Sequence, residues 1–247
     1  MSILGLVSVS FRNLTIEEII TEVKKLNLTH IEWGSDIHAP VLAYENADKI
    51  CKLCKENGIS VSYGTYFRFG KNPVEEIRDY IKTAKTLGAK ILRVWCGVKG
   101  YAEYTEEELN NIYDDCKKAS LIAQQEGVIL ATECHNWTLT DCKESAIKLL
   151  NAVNSPSFKT FWQPNQFKTF EENLDYAKAV AKNTVTVHCF NWKDSEKRPL
   201  LNAINEWKAY ASCFNNDTPF LLEFMPDDSL QSLQVEANTL NNIIRGR

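Results

Sequence analysis

The chain alternates. A short apolar run is followed by a helical stretch, and the pair recurs eight times in 247 residues, about 31 residues per unit. The pattern predicts strands at 3–10, 30–33, 59–65, 90–96, 128–134, 159–163, 184–189 and 219–225. Helix starts are marked by Thr15-x-x-Glu18, Thr105-x-x-Glu108, Asp141-x-x-Glu144 and Thr169-x-x-Glu172, each with the form of a capping box. Gly58, Gly88 and Gly127 stand where helices end, and Pro73 stands in a first helical turn, where its missing N–H does no harm.

Strands alternating with helices imply a parallel sheet. Eight units in about 250 residues fit a closed (β/α)8 barrel, so the expected fold is α/β, one TIM-barrel domain over residues 1–247. An open doubly wound sheet would carry a glycine-rich phosphate loop after its first strand. Val9-Ser10-Phe11-Arg12-Asn13 has no glycine, and the chain has no P-loop, linker or low-complexity segment.

Several function classes are disfavoured at once. The net charge of −4 gives no electrostatic attraction to nucleic acid or acidic lipid. No apolar run approaches the roughly 20 residues that span a bilayer. The N-terminus lacks a positive segment and a cleavage site, so the expected location is the cytoplasm. The eight cysteines are accordingly expected as reduced thiols. Cys51-x-x-Cys54 falls inside a helical stretch and reads as packing.

The chemistry lies at the strand ends, where a barrel carries its active site. Ile129-Leu130-Ala131-Thr132 runs into Glu133, then His135; Val185-Thr186-Val187 into His188; Phe220-Leu221-Leu222 into Glu223. A carboxylate ending a buried apolar strand needs a partner, such as a cation or a metal. Gln163 ends the sixth strand, and Glu32, Tyr66, Arg68, Arg93 and Trp95 lie on or after the second to fourth. Two carboxylates, an imidazole and an amide oxygen form a donor set for a divalent cation. Hard oxygens argue for Mn²⁺ or Mg²⁺, and the imidazole keeps Zn²⁺ and Co²⁺ open. Trp33, Trp95 and Trp137 are candidate walls for a sugar ring. His30 is read as structural, and His38 as able to reach the site from its loop. The aromatic loop Tyr63-Gly64-Thr65-Tyr66-Phe67-Arg68-Phe69-Gly70 is read as either a lid or a contact in a homo-oligomer.

With its eight units, Thr132-Glu133-Cys134-His135, Val187-His188 and Leu222-Glu223, the chain resembles the xylose isomerase-like superfamily of sugar isomerases and epimerases. That superfamily also holds D-tagatose 3-epimerase, hydroxypyruvate isomerase, inosose dehydratase and endonuclease IV. The resemblance implies a metal held by Glu133, Gln163, His188 and Glu223. The superfamily's ketose 3-epimerases have aspartate at the second of these strand ends, that of the sixth strand, with a histidine three residues on; here Trp162-Gln163-Pro164-Asn165-Gln166 has glutamine at both places. Weaker metal binding is therefore expected, or a metal held chiefly by Glu133, His188 and Glu223. Trp162-Gln163-Pro164 with His188-x-x-Asn191-Trp192 resembles a subgroup of sugar phosphate isomerases and epimerases.

The resemblance implies a sugar or keto-sugar substrate. Glu133 and Glu223 would form the acid–base pair working through a cis-enediolate, and Arg93, Arg68, His135, Trp95 and Glu32 would touch substrate. Arg93 and Glu32 are equally readable as an ion pair. Two rivals stand beside the isomerase: an inosose-type dehydratase starting from the same proton removal, and a non-catalytic sugar-binding protein whose metal site has degraded at Gln163. A histidine-rich nuclease site is disfavoured, because the chain has four histidines.

Overall fold

The computed structural model describes residues 3–193 and 195–246. Residues 1, 2, 194 and 247, which the readings of the N-terminus and of a domain over 1–247 include, lie outside the described residues. The barrel strands are β1 (Leu4–Val7), β2 (His30–Gly34), β3 (Ser60–Phe69), β4 (Ile91–Cys96), β5 (Ile129–Glu133), β6 (Phe158–Trp162), β7 (Thr184–Cys189) and β10 (Phe220–Leu222). All neighbours pair in parallel, and β10 closes the ring onto β1. A small antiparallel hairpin, β8 (Trp192–Lys193) and β9 (Glu196–Lys197), follows β7. The helices are α1 (Ile16–Lys25), α2 (Tyr44–Glu56), α3 (Ile77–Leu87), α4 (Glu106–Glu126), α5 (Lys143–Val153), α6 (Phe170–Val180), α7 (Ile204–Ala211) and α8 (Leu230–Arg245).

Local signals explain most boundaries. Thr15, Thr105 and Thr169 form the expected capping boxes, each hydroxyl accepting from the backbone N–H of the glutamate three residues on. Gly88 and Gly127 end α3 and α4 at φ +81° and +69°, a region that favours glycine. The box at Asp141 does not form. The α5 N-cap is Cys142, without a side-chain cap bond, and Asp141 instead accepts from the Tyr101 N–H at 3.2 Å. A carboxylate that can satisfy a neighbouring loop need not cap its own helix.

Three strands differ from expectation, the last of them by spanning only Phe220–Leu222 rather than 219–225. β1 ends at Val7, and Ser8–Phe11 coil into a 3-10 turn. β3 runs to Phe69, so the aromatic stretch read as a lid or subunit contact is strand. Phe67 and Phe69 are buried on its outer face, Arg68 pairs with Trp95, and Phe69 pairs with Cys96. The register shifts between Gly64 and Arg68, a bulge at a glycine rather than a hinge.

The apolar core lies between sheet and helices, where Ile31, Trp33, Leu92, Val94, Leu130 and Trp162 meet the inner faces of the helices. Trp33 is fully buried there, edge-on to His38 at 5.7 Å, and forms no wall of the barrel mouth. The barrel interior is polar by contrast. His30, on β2, reaches Ser60 and Ser62 at 2.8 and 2.9 Å and is structural. Above it come Glu32, Arg93, Glu133 and His188, all buried. All eight cysteines are unpaired thiols, and Cys51 and Cys54 are buried on α2. Among the described residues no helix is long and apolar enough to cross a membrane.

Candidate active site

Alternation along the strands aims the site. Trp162 points outward and is fully buried, its ring centroid 5.1 Å from Tyr210, 5.4 Å from Phe214 and 6.3 Å from Trp207. Burying one such side chain contributes about 1.5–3 kcal/mol. With Trp162 fixed outward, Gln163 must turn in. Cys134 does the same between Glu133 and His135, and Leu222 before Glu223. The loop after β5 is tied down as well: Thr140 Oγ1 donates to the Glu133 carbonyl at 2.5 Å, and Thr138 Oγ1 to the His135 carbonyl at 2.6 Å.

Glu133, His188 and Glu223 converge. Each is buried, and each offers a donor atom within 4.8 Å of those of the other two. His188 Nδ1 lies 3.3 Å from Glu223 Oε2 and 3.3 Å from Gln163 Oε1. On the far side of the ring, Nε2 donates to Glu32 Oε2 at 3.2 Å. Glu32 also accepts from Arg93 Nε at 2.8 Å, and Arg93 Nη1 donates to Glu133. A side chain on residue 64 of β3 would collide with the Glu32 carboxylate and come within 2.8 Å of Arg93 Nη2, so Gly64 makes room for this pair.

The electrostatics follow from burial and pairing. Burial alone would raise the Glu32 carboxyl, but Arg93 and His188 hold it down at about 2. Burial would lower the His188 imidazole, yet Glu223 and Glu32 hold it up at about 10. Glu223 lies below the usual carboxylate range, because His188 more than offsets its burial. At formal charges, Glu32, Glu133 and Glu223 outnumber Arg93 and a protonated His188 by one negative charge. Once His188 gives up its proton the excess is two, the charge of a divalent cation. Three close donors, an adjacent amide oxygen and this balance fit such an ion, whose ligands must be deprotonated.

Above the cluster opens a cavity of about 180 Å³. That is smaller than the roughly 300–1,000 Å³ of drug-sized sites and suits a small polar molecule. Of the residues singled out from sequence, Glu133, Gln163, Glu223, Arg93, Trp95, His135 and Tyr66 line it. Arg68 lies beside it, stacked 4.3 Å over Trp95. Glu32 and His188 sit beneath the cavity wall. His38 does not line the cavity; it is held by Ser8 Oγ and the Leu14 carbonyl. Arg12, Phe190 and Phe224 line the cavity without having been anticipated. Arg12 follows β1 on the functional rim and pairs with Asp36, a position that could have flagged it. Phe224 gave no signal: it takes φ +54° directly after Glu223, with its N–H on Ser10 Oγ at 2.9 Å.

Comparison with known proteins agrees with this architecture. Residues 20–212 match the family described as xylose isomerase-like TIM barrel. No curated protein matches the chain in sequence. Among solved structures, the probable 3-DHS dehydratase AsbF from Bacillus anthracis has a TM-score of 0.76 at 16% identity, covering 98% of this chain and 99% of its own. The IOLI protein with a bound zinc atom has a TM-score of 0.76 at 18% identity, covering 98% and 97%. An L-ribulose 3-epimerase has a TM-score of 0.75 at 13% identity, covering 99% and 95%. At these identities the likeness is one of fold.

Proposed function

The chain belongs to the xylose isomerase-like TIM barrel family, and on that premise we propose that it is a metal-dependent isomerase or epimerase of a small sugar or keto-sugar. The observation that carries the reading is the convergence of Glu133, His188 and Glu223 at one end of the barrel, within 4.8 Å of one another. These three residues would hold the cation, with the Gln163 amide oxygen beside them. A divalent cation there would polarise a carbonyl and the adjacent hydroxyl, making the C–H between them more acidic. The mixed carboxylate and imidazole donors accommodate Mn²⁺, Mg²⁺, Co²⁺ or Zn²⁺.

The side chains then have separable tasks. Glu223, held ionised, takes the proton from the substrate carbon and leaves a cis-enediolate. In an isomerisation Glu223 returns the same proton to the next carbon; in an epimerisation Glu133, facing the same cavity from β5, takes the hydroxyl proton of the enediolate and delivers it to the opposite face of the carbon, while Glu223 gives its proton to the vacated oxygen. Arg93 keeps the Glu133 carboxylate in place. Glu32 accepts from His188 Nε2 and so leaves Nδ1 turned toward the cation position. Trp95 and His135, 4.6 Å apart, form one wall, and Phe190, Trp192 and Phe224 another.

Purified protein is expected to carry near-stoichiometric metal and to interconvert ketoses without change of mass. Glu223→Gln should lose at least about 10²-fold in turnover, the low end of general acid–base contributions, with its fold retained by circular dichroism. Retained turnover in that variant would refute the mechanism. Loss of water from the product would identify a dehydratase, a reading motivated by the probable dehydratase among the structural neighbours. A metal-free protein that still binds sugar would identify a non-catalytic binder.

A further inference from the structure

Beside the catalytic cavity the mouth widens into an open shoulder lined by Arg68, Lys71, Trp95, His135, Asn136 and Trp137, with Val98 at its edge. We propose that this shoulder binds an anionic group of the substrate, a phosphate or a carboxylate. The proposal rests on the isomerase reading of the adjoining cavity and names the class of molecule that cavity takes.

The first observation is an unpaired cation. Of the arginines that are not fully exposed, Arg93 and Arg198 each meet a glutamate. Arg68 is half-buried, and among the described residues no carboxylate lies within 4 Å of it. One guanidinium nitrogen donates to the Gly97 carbonyl at 2.8 Å, and the plane stacks 4.3 Å over Trp95. Among the described residues no acceptor engages the remaining donors of its fork. Burial also works against its charge, and Glu133 and Tyr104 offset this only in part and from beyond contact distance, so an anion placed there recovers lost solvation.

The second observation is the composition of the surface. Lys71 adds another cation without a carboxylate partner among the described residues, and none of the residues lining the shoulder is acidic, in a chain whose net charge is −4. The turn that presents both cations is fixed: the Lys71 and Asn72 N–H groups both donate to the Arg68 carbonyl, at 3.1 and 2.9 Å. Trp137 stands 68% exposed at φ +56°, an indole held out over the shoulder by a backbone conformation that tryptophan rarely adopts.

The third observation is continuity. Trp95 and His135 line both the shoulder and the catalytic cavity. A substrate whose reacting carbons lie at Glu133 and Glu223 therefore meets Arg68 one ring away. A planar guanidinium backed by an ammonium recognises phosphate and carboxylate through charge-assisted hydrogen bonds.

The test is isothermal titration of the metal-loaded protein with a neutral ketohexose, a ketohexose 6-phosphate and a hexonate. The wild type is expected to bind at least one anionic sugar tenfold or more tightly than the neutral one; the preferred anion distinguishes phosphate from carboxylate. Arg68→Met is expected to erase that preference. Lys71→Met, at an exposed position that keeps the fold intact if Arg68→Met does not, is expected to reduce it several-fold and leave the neutral sugar's affinity unchanged. Equal binding of all three sugars by the wild type, or an anion preference that survives both substitutions, would overturn the proposal. If the anion preference is present and sensitive to Arg68 but no sugar is converted, the isomerase reading fails and the anion site stands.

Discussion

Glu32→Gln is the substitution that best separates structure from chemistry at this site. It keeps the shape of the side chain and removes one charge from a group that is fully buried. Two bonds depend on that charge: Arg93 Nε at 2.8 Å and His188 Nε2 at 3.2 Å. Breaking a buried pair from one side typically costs about 3–5 kcal/mol, because the surviving charge stays buried. Arg93 keeps Glu133 as a partner, so the low end, about 3 kcal/mol, is expected. At about 2–4 °C per kcal/mol for a chain of this length, the metal-free protein should melt about 6–12 °C lower. The second effect is on the cation. A carboxylate that orients a ligating histidine is worth about 10–100-fold in metal affinity or activity. Scanning calorimetry of the metal-free protein measures the first effect, and competition with a fluorescent chelator measures the second. An unchanged melting temperature would refute the claim that Glu32 anchors the cluster. A lowered melting temperature with unchanged metal affinity would reduce Glu32 to a structural partner of Arg93.

Gln163→Glu adds a carboxylate where an amide oxygen lies 3.3 Å from His188 Nδ1, and should tighten divalent metal by at least about tenfold, since a new anion beside a doubly charged ion gains several kcal/mol at an effective dielectric of about 20; unchanged affinity in a chelator titration would place Gln163 outside the cation's reach. His30 is buried, and burial holds its imidazole down at about 4 against an ordinary 6.5. The unfolded chain therefore binds a proton between these values that the folded one refuses, so this contribution is complete above pH 6.5 and is lost as pH falls toward 4, by about 3 kcal/mol. Urea midpoints at pH 7 and pH 4 should draw together in His30→Gln relative to the wild type; parallel losses in both would remove His30 as the cause.

What the sequence disclosed depended on how local the cause was. Thr15, Thr105 and Thr169 were readable because a cap needs only the next three residues, whereas Asp141 failed because Tyr101, forty positions away, competes for its carboxylate. The end of β3 was misread because Gly64 and Gly70 look like loop residues, when Gly64 in fact yields space to a carboxylate from the neighbouring strand. The converging ligands were legible since each stands at or near the end of an apolar strand. Their partners were only half legible. Glu32 and Arg93 are 61 residues apart, and their contact follows from a register that places Glu32 opposite Ser62 and Gly64 opposite Arg93. Phe224 was not legible at all, for nothing in its side chain announces a left-handed backbone.

The same contacts settle how two readings of Glu133 relate. A carboxylate ending a buried strand needs a partner, which an arginine or a metal can each supply. The structure has the ion pair, since Arg93 Nη1 reaches Glu133. It also has the convergence with His188 and Glu223. These are compatible because a carboxylate offers two oxygens and about four lone pairs. The charges then make the combination informative. A pair of Glu133 and Arg93 alone would be neutral and would call for nothing more. Glu32 occupies Arg93 from the other side, so one cation is shared between two buried carboxylates, and among the described residues His188 is the one cationic group within 4 Å of Glu223, which feels Arg93 only at longer range. A purely structural network would gain by losing one of these acids, because buried charge in excess is unfavourable. Keeping three carboxylates around one arginine and one histidine is reasonable if a further positive charge belongs there, and Gln163 in place of a fourth acid keeps that requirement to a single divalent ion.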